Sequence, residues 1–260
     1  MLKVATWNVN SITIRLERLL GFLQRVNPDV VCLQELKCTD DKFPTAALQA
    51  AGYHSVILGQ KAYNGVAILS RHRPDQVDRG FADGVDDQAA RFISAKFKEL
   101  TVMSAYVPNG QEVGSDKFFY KLNWLARLRS YLDRQHRPDQ KLVLAGDFNV
   151  APDDRDVHNP EAWREKILCS SRERAALATT LDFGLLDAYR CLHPQETQYT
   201  WWDYRMLAFQ KNLGLRIDFL LTTRSLSEQL SACYVERDER KGEKPSDHAP
   251  VVAEFAGSEI

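Results

Sequence analysis

Apolar, β-branched runs recur along the chain, and most end in polar residues that can bind a hard cation or move a proton. Leu2–Trp7 runs into Asn8, and Val30–Gln34 runs into Glu35. Thr101–Ala105 leads to Tyr106, and Lys141–Gly146 leads to Asp147 and Asn149. Asp218 lies within Leu215–Leu221, while Asp247 and His248 precede Ala249–Phe255. Short runs of this kind predict buried strands. Loops at strand ends are where a rigid sheet can hold polar groups around one point. The pattern therefore predicts a single active site assembled from distant segments, and the chain is expected to be an enzyme.

Helical spacing appears between these runs. Ser11 is placed to cap a helix in which Ile14, Leu19, Leu20, Leu23 and Val26 share a face until Asn27-Pro28 stops it. Phe43–Ala51, closed by Gly52, reads as a second helix, and Tyr53–Leu58 and Val66–Ser70 read as strands joined by Gly59–Gly65. Arg91–Phe97 and Thr101–Val107 form an expected hairpin. Ser115–Gln135 is a long amphipathic segment, Ala151–Arg172 a polar loop with a short helix, and Glu173–Phe183 a helix closed by Gly184. Cys233–Glu236 is a late strand. Antiparallel pairs mixed with covering helices predict an α/β fold of two sheets packed face to face with helices outside. With no linker or low-complexity tract, one domain over residues 1–260 is expected.

Composition narrows this picture only in places. A chain of 260 residues with ordinary apolar and charged fractions can bury a sizeable core. It has no eighteen-residue apolar stretch and no signal-peptide pattern, so a cytoplasmic protein with no membrane partner is expected. Cys32, Cys38, Cys169, Cys191 and Cys233 show no C-x-x-C spacing and are read as reduced thiols. The formal charge of −1 leaves DNA open as a partner, because a carboxylate-rich metal site offsets basic surface in the total.

Each motif has two readings when taken alone. In Gly146-Asp147-Phe148-Asn149 the Asp and Asn project to one side of an extended segment, yet a turn explains the fragment equally well. Glu35 ends a run that would be buried, where a carboxylate is costly unless paired or metal-bound. Asn8 and Asn10 flank Val9 on one face. Oxygen donors of this kind suit Mg2+ or Mn2+, not zinc. His248, in Ser246-Asp247-His248-Ala249-Pro250, suits general acid or base work if a carboxylate holds its second nitrogen, and Asp218 is the candidate partner. The bland alternative is a core histidine. The group Tyr199–Arg205 contains Trp201 and reads either as a stacking surface with Arg205 reaching a phosphate or as a core plug. Lys61, Tyr63 and Asn64 form another candidate phosphate contact.

Trp7-Asn8-Val9-Asn10-Ser11, Leu33-Gln34-Glu35, Tyr63-Asn64-Gly65-Val66, Tyr106-Val107-Pro108-Asn109-Gly110, Gly146-Asp147-Phe148-Asn149, Arg216-Ile217-Asp218 and Ser246-Asp247-His248-Ala249-Pro250 occur in this order. Together they resemble the exodeoxyribonuclease III family of AP endonucleases, within the endonuclease/exonuclease/phosphatase superfamily. The resemblance implies a four-layer αββα sandwich of two mixed β-sheets flanked by helices. It also implies Mg2+- or Mn2+-dependent cleavage of double-stranded DNA at abasic sites and removal of nucleotides or blocking groups from 3′ ends, by a monomer. Carried over by motif, Asn8, Glu35 and Asp247 are expected metal-site residues. Tyr106, Asp147, Asn149, Asp218 and His248 are the expected catalytic set. Trp201 and Leu215 match the walls of a pocket for a baseless sugar, and Asn109 matches a phosphate contact. The loop after Asn149 departs from the strong abasic-site cleavers by carrying His158, whose bulk is expected to hinder insertion into intact duplex while leaving 3′ ends accessible.

Two other readings remain. The same fold and metal chemistry also serve inositol phosphates, lipid headgroups and RNA, because fold alone does not fix substrate. A binding module without activity would be expected to have lost part of the acid, amide and histidine set, and none is missing here.

Overall fold

The computed structural model describes residues 1–258 and 260. In chain order the elements are β1 (Leu2–Asn8), α1 (Ile12–Val26), β2 (Val30–Gln34), α2 (Thr45–Ala50), β3 (His54–Leu58), β4 (Val66–Ser70), β5 (Gln76–Arg79), β6 (Phe92–Phe97) and β7 (Leu100–Tyr106). Then follow α3 (Asp116–Gln135), β8 (Lys141–Asp147), α4 (Pro160–Trp163), α5 (Ser171–Leu181), β9 (Leu185–Asp187), α6 (Ala188–Leu192), β10 (Asp218–Thr223), α7 (Arg224–Ser227), β11 (Leu230–Val235) and β12 (Val251–Phe255).

The strands form two six-stranded sheets, ordered β11-β12-β1-β2-β4-β3 and β5-β6-β7-β8-β10-β9. Each is mixed: β1 and β2 run parallel within the first, β7 and β8 within the second, and the other pairs are antiparallel. Their facing sides interdigitate, with Val4, Val30, Cys32 and Ile68 of the first packing against Ile93, Val102, Val143 and Leu220 of the second. Ile12, Leu19, Phe22 and Leu23 of α1 and Leu48 of α2 cover the outer face of the first sheet. Trp124, Leu125, Leu128 and Leu132 of α3, with Leu177 of α5, cover the second. The architecture is the four-layer α/β sandwich expected from the motifs.

Several boundaries differ from the sequence reading. Ser11 precedes α1 but makes no side-chain cap; at φ 85° its backbone N–H donates instead to the Glu35 carbonyl at 2.8 Å. The second helix begins at Thr45 because Asp40–Lys42 forms a short 3-10 turn before Pro44. The run Leu215–Leu221 becomes a ladder strand only at Asp218, since Leu215 bridges to Val157 and Trp201. The strand placed at Cys233–Glu236 starts earlier, at Leu230, and α5 spans Ser171–Leu181 in place of Glu173–Phe183. All five cysteines are free. Among the described residues no helix is long and apolar enough to cross a membrane.

Candidate active site

Two parallel pairs carry the site. Asn8 is level with Gln34 where β1 meets β2, and Tyr106 is level with Asp147 where β7 meets β8. Asp218 opens β10 directly opposite Asp147. Ends from both sheets thus meet at one rim of the sandwich. The connecting backbone is under local constraint there: Asn10, Glu35, Lys37, Asn64 and Asn149 all have φ between 44° and 56°. Non-glycine residues rarely adopt that region and cluster there where the surroundings over-determine them.

The loops are fastened to each other as well as to the strands. The Ser246 hydroxyl donates to the Asn8 carbonyl at 2.6 Å, and the Trp7 indole N–H donates to the His248 carbonyl at 3.1 Å. Trp201 bridges to both Leu215 and His248. These ties bring the first and last strand ends together across more than 230 positions of sequence.

At the centre the Asn8 amide donates to both Glu35 Oε1 and Asp147 Oδ2, each at 2.9 Å. The Tyr106 hydroxyl donates to Glu35 Oε1 at 2.8 Å. His248 Nδ1 lies 2.9 Å from Asp218 Oδ2, which gives that nitrogen the proton and aims Nε2 toward Asp147 Oδ2 at 3.7 Å. Asp147 Oδ1 accepts the Asn149 backbone N–H, while the Asn149 amide donates to the Val107 carbonyl and to Asp147 Oδ2. Asn109 donates to Asn149 Oδ1 at 3.1 Å. Asp247 accepts from the Asn10 amide at 2.8 Å and from the Trp201 indole at 3.0 Å.

Burial and mutual charge set the protonation states. Burial alone would push the His248 imidazolium down, but the carboxylates of Asp218 and Asp147 override it and lift the group to about 10. Burial raises Asp147, with the nearby Asp218 and Glu35 charges adding to it against His248 and the Asn8 bond. Asp247 is held below the usual carboxylate range: burial opposes this, but His248 and the Asn10 and Trp201 donors outweigh it. Burial, with Glu35 and Asp147 beside it, pushes the Tyr106 hydroxyl well above its ordinary value.

Glu35, Asp147 and His248 offer ligand atoms that lie within 4.8 Å of one another. The donor set is dominated by carboxylate oxygen, which fits a hard divalent cation. His248 is committed to Asp218 and carries a positive charge, so the oxygens of Glu35 and Asp147 are the better donors. The Lys37 ammonium lies 3.0 Å from Glu35 Oε2 and 2.6 Å from Asn10 Oδ1, so the carboxylate already attracts positive charge.

The structure thus brings Asn8, Glu35, Tyr106, Asn109, Asp147, Asn149, Asp218, Asp247 and His248 into one network, bordered by Trp201; Leu215, expected beside it, is fully buried in the apolar cluster with Val157 and Ile217. Trp202, not Trp201, is the buried plug. His158 is half-buried; its Nδ1 sits 3.1 Å from the carbonyl of Gly214, the residue before Leu215. The outer candidates are less engaged. Lys61 and Tyr63 are exposed, Asn64 bonds to Gln60, and Arg205 extends into solvent paired with Asp203. Lys37 carries no signal in the sequence, since a lone Lys in a polar loop resembles any solvated residue; Ser246 opens the Asp247-His248 motif, but nothing in that motif shows its bond to the Asn8 carbonyl. Asn10 was noted only for sharing a face with Asn8.

The Endonuclease/Exonuclease/phosphatase family model matches residues 5–248. Exodeoxyribonuclease III of Haemophilus influenzae is 36% identical over 98% of this chain and 100% of its own. Among solved structures, the 3′ phosphatase NExo from Neisseria, bound to a product DNA hairpin, superposes with a TM-score of 0.94 at 46% identity, covering 98% of this chain and 99% of that one. An AP endonuclease from Archaeoglobus fulgidus also gives 0.94, at 42% identity and the same coverage.

Proposed function

The chain belongs to the endonuclease/exonuclease/phosphatase family, and from that premise we propose that it is a DNA repair nuclease of the exodeoxyribonuclease III type. It hydrolyses phosphate esters of DNA: diesters when it clears 3′-terminal nucleotides or cuts at abasic sites, and monoesters when it clears 3′-phosphates, with Mg2+ or Mn2+ as the ion. The observation that carries this reading is the meeting of Asp147, Asp218 and His248 with Glu35 and Asn8 at the rim where both sheets end. The free, mostly buried thiols fit a reducing, cytoplasmic setting.

Cleavage adds water to phosphorus and breaks the bond to O3′, so one proton must leave the water and one must reach O3′. In our reading Asp147 handles one of these protons, since its raised pKa suits exchange near neutral pH. His248, held as imidazolium by Asp218, presents Nε2–H to a non-bridging phosphate oxygen. Asn149 and Tyr106 position phosphate and nucleophile, and Asn109 contacts the phosphate. Glu35 and Asp147, bridged by the Asn8 amide, would hold the divalent ion, which would supply charge neutralisation at the phosphate; Asp247, expected in that set, is instead bonded to Asn10 and Trp201 and stands outside the group of clustered ligand atoms. Trp201, backed by the buried Leu215, walls the sugar pocket, and Lys61, Tyr63, Asn64 and Arg205 are outer contacts to the duplex.

The test is digestion of three end-labelled duplexes carrying an internal abasic analogue, a 3′-phosphate and a plain recessed 3′-hydroxyl. Chelator-sensitive product is expected from at least one. No product from any duplex, with turnover of an inositol phosphate instead, would transfer the chemistry to the other substrate class. His158, set against the Gly214–Leu215 wall, is proposed to narrow the pocket against internal abasic sites. His158→Gly should increase cleavage of the internal analogue while leaving 3′-end processing within a few-fold; no gain removes that role.

A further inference from the structure

Lys121 lies in the middle of α3, outside every motif discussed above, yet its side chain is fully buried. An ammonium has three N–H donors, and each finds a partner on a different segment. One goes to the Asn149 carbonyl at 2.6 Å, one to the Asn109 carbonyl at 3.1 Å, and one to Glu173 near the start of α5. Glu173 is also fully buried; it accepts the Leu168 and Ser170 N–H groups and the Ser170 hydroxyl. The carboxylate is thereby saturated by its own loop.

Asn109 and Asn149 belong to different loops at the site, and their side chains bond to each other. Asn149 has φ 50°, beyond the end of β8, and its carbonyl is met by the buried Lys121 ammonium. Such a carbonyl needs a donor from elsewhere. Gly110 completes the fit: at φ +92° its missing Cβ leaves room that the Lys121 stem and Ile167 occupy, 3.1 and 2.9 Å from where that atom would stand.

A buried ion pair is weak support for stability, because desolvating both charges consumes most of their attraction. Burial pushes the Lys121 ammonium down, with Glu173 pulling it back up. An apolar residue at 121 would fill the space but leave two loop carbonyls without partners. We propose that Lys121 is a positioning residue: by bonding both carbonyls from beneath, it sets the relative placement of Asn109 and Asn149, and Glu173 is its counter-charge. The inference rests on the nuclease reading for the roles of those two asparagines.

The test compares wild type, Lys121→Met, Glu173→Gln and the double variant Lys121→Met/Glu173→Gln on a 3′-phosphate duplex with Mg2+, at a temperature well below every Tm. Lys121→Met should lose both Tm and turnover. The double variant, freed of the orphaned carboxylate, should recover most of the Tm while kcat stays at least tenfold down and KM moves less than threefold. Glu173→Gln, whose ammonium still reaches both carbonyls, should lose Tm yet keep kcat within threefold. The side-chain amide resonances of Asn109 and Asn149 should shift in the double variant and not in Glu173→Gln. Recovery of kcat in step with Tm, or a tenfold loss in Glu173→Gln, would reduce the pair to ordinary core structure. Wild type inert on this duplex and on the abasic and recessed 3′-hydroxyl duplexes would instead overturn the nuclease reading itself.

Discussion

His248 and Asp218 hold a proton between them that folding makes hard to remove. The imidazolium's pKa in the folded protein, about 10, stands above the 6.5 of a free histidine, so folding favours the charged form. Stability from this source is complete below pH 6.5 and is lost as pH rises toward 10. Asp147 works in the same direction at lower pH: its pKa, raised from 3.8 to about 7, means that ionising it costs stability across that interval. We therefore expect the wild-type protein in chelator to lose several degrees of Tm between pH 6.5 and 10. Asp218→Asn, lacking the charge that does most to lift His248, should lose less over the same range. Parallel curves for the two proteins would contradict the assignment. At this scale the sequence was informative where a polar residue interrupted an apolar run, because burying Asp218 or Glu35 without a partner would be too costly. It was silent on Lys37 and Lys121, whose partners lie on other segments and whose own surroundings resemble any solvated stretch.

Strands with continuous apolar runs were legible as elements, and the two edge strands of the second sheet were not. Gln76–Arg79 is mostly exposed and carries a single apolar residue, Val77, so only its pairing with β6 makes it β5. Leu185–Asp187 is likewise too short to be recognised without β10 beside it. The ends of β7 and β8 depend on a feature that sequence displays only as a glycine before an aspartate. Gly146 pairs with Ala105 across the parallel ladder, and a Cβ placed on it would lie 1.8 Å from the Ala105 carbonyl oxygen. The obstacle is backbone, so no side-chain rotation relieves it, and at φ +150° an L-residue is strained as well. Gly146→Ala should force β7 and β8 apart next to Asp147, destabilising by about 3 kcal/mol or more and lowering kcat. A Tm within two degrees of wild type, read by calorimetry, would show that the strands tolerate the methyl group.

The molecule as a whole divides its proposed chemistry between its two sheets. Asn8 and Glu35 stand at strand ends of the first, and Asp247 and His248 lie just before β12 of that sheet. Tyr106, Asp147, Asn149 and Asp218 stand at strand ends of the second. Their meeting was foreseeable only as convergence, since which strand ends coincide depends on the sheet order and on how the layers face. Bringing Glu35 and Asp147 together concentrates negative charge, relieved in part by Lys37 and His248. A divalent ion held there would bind the folded protein and not the unfolded chain, in which Glu35 and Asp147 are separated by more than a hundred residues. Binding confined to the native state adds about 2.7 kcal/mol when the ligand is at roughly 100 times its Kd. For a chain of this size that corresponds to a Tm increase of about 5–10 °C. Wild type titrated with MnCl2 after chelator treatment should show this rise, saturating with concentration. Glu35→Gln should respond much more weakly, because the amide offers one neutral oxygen in place of a carboxylate. If both proteins rise equally, the ion binds elsewhere; if neither rises, the two sheets do not share a cation, and the proposed division of labour between them loses its basis.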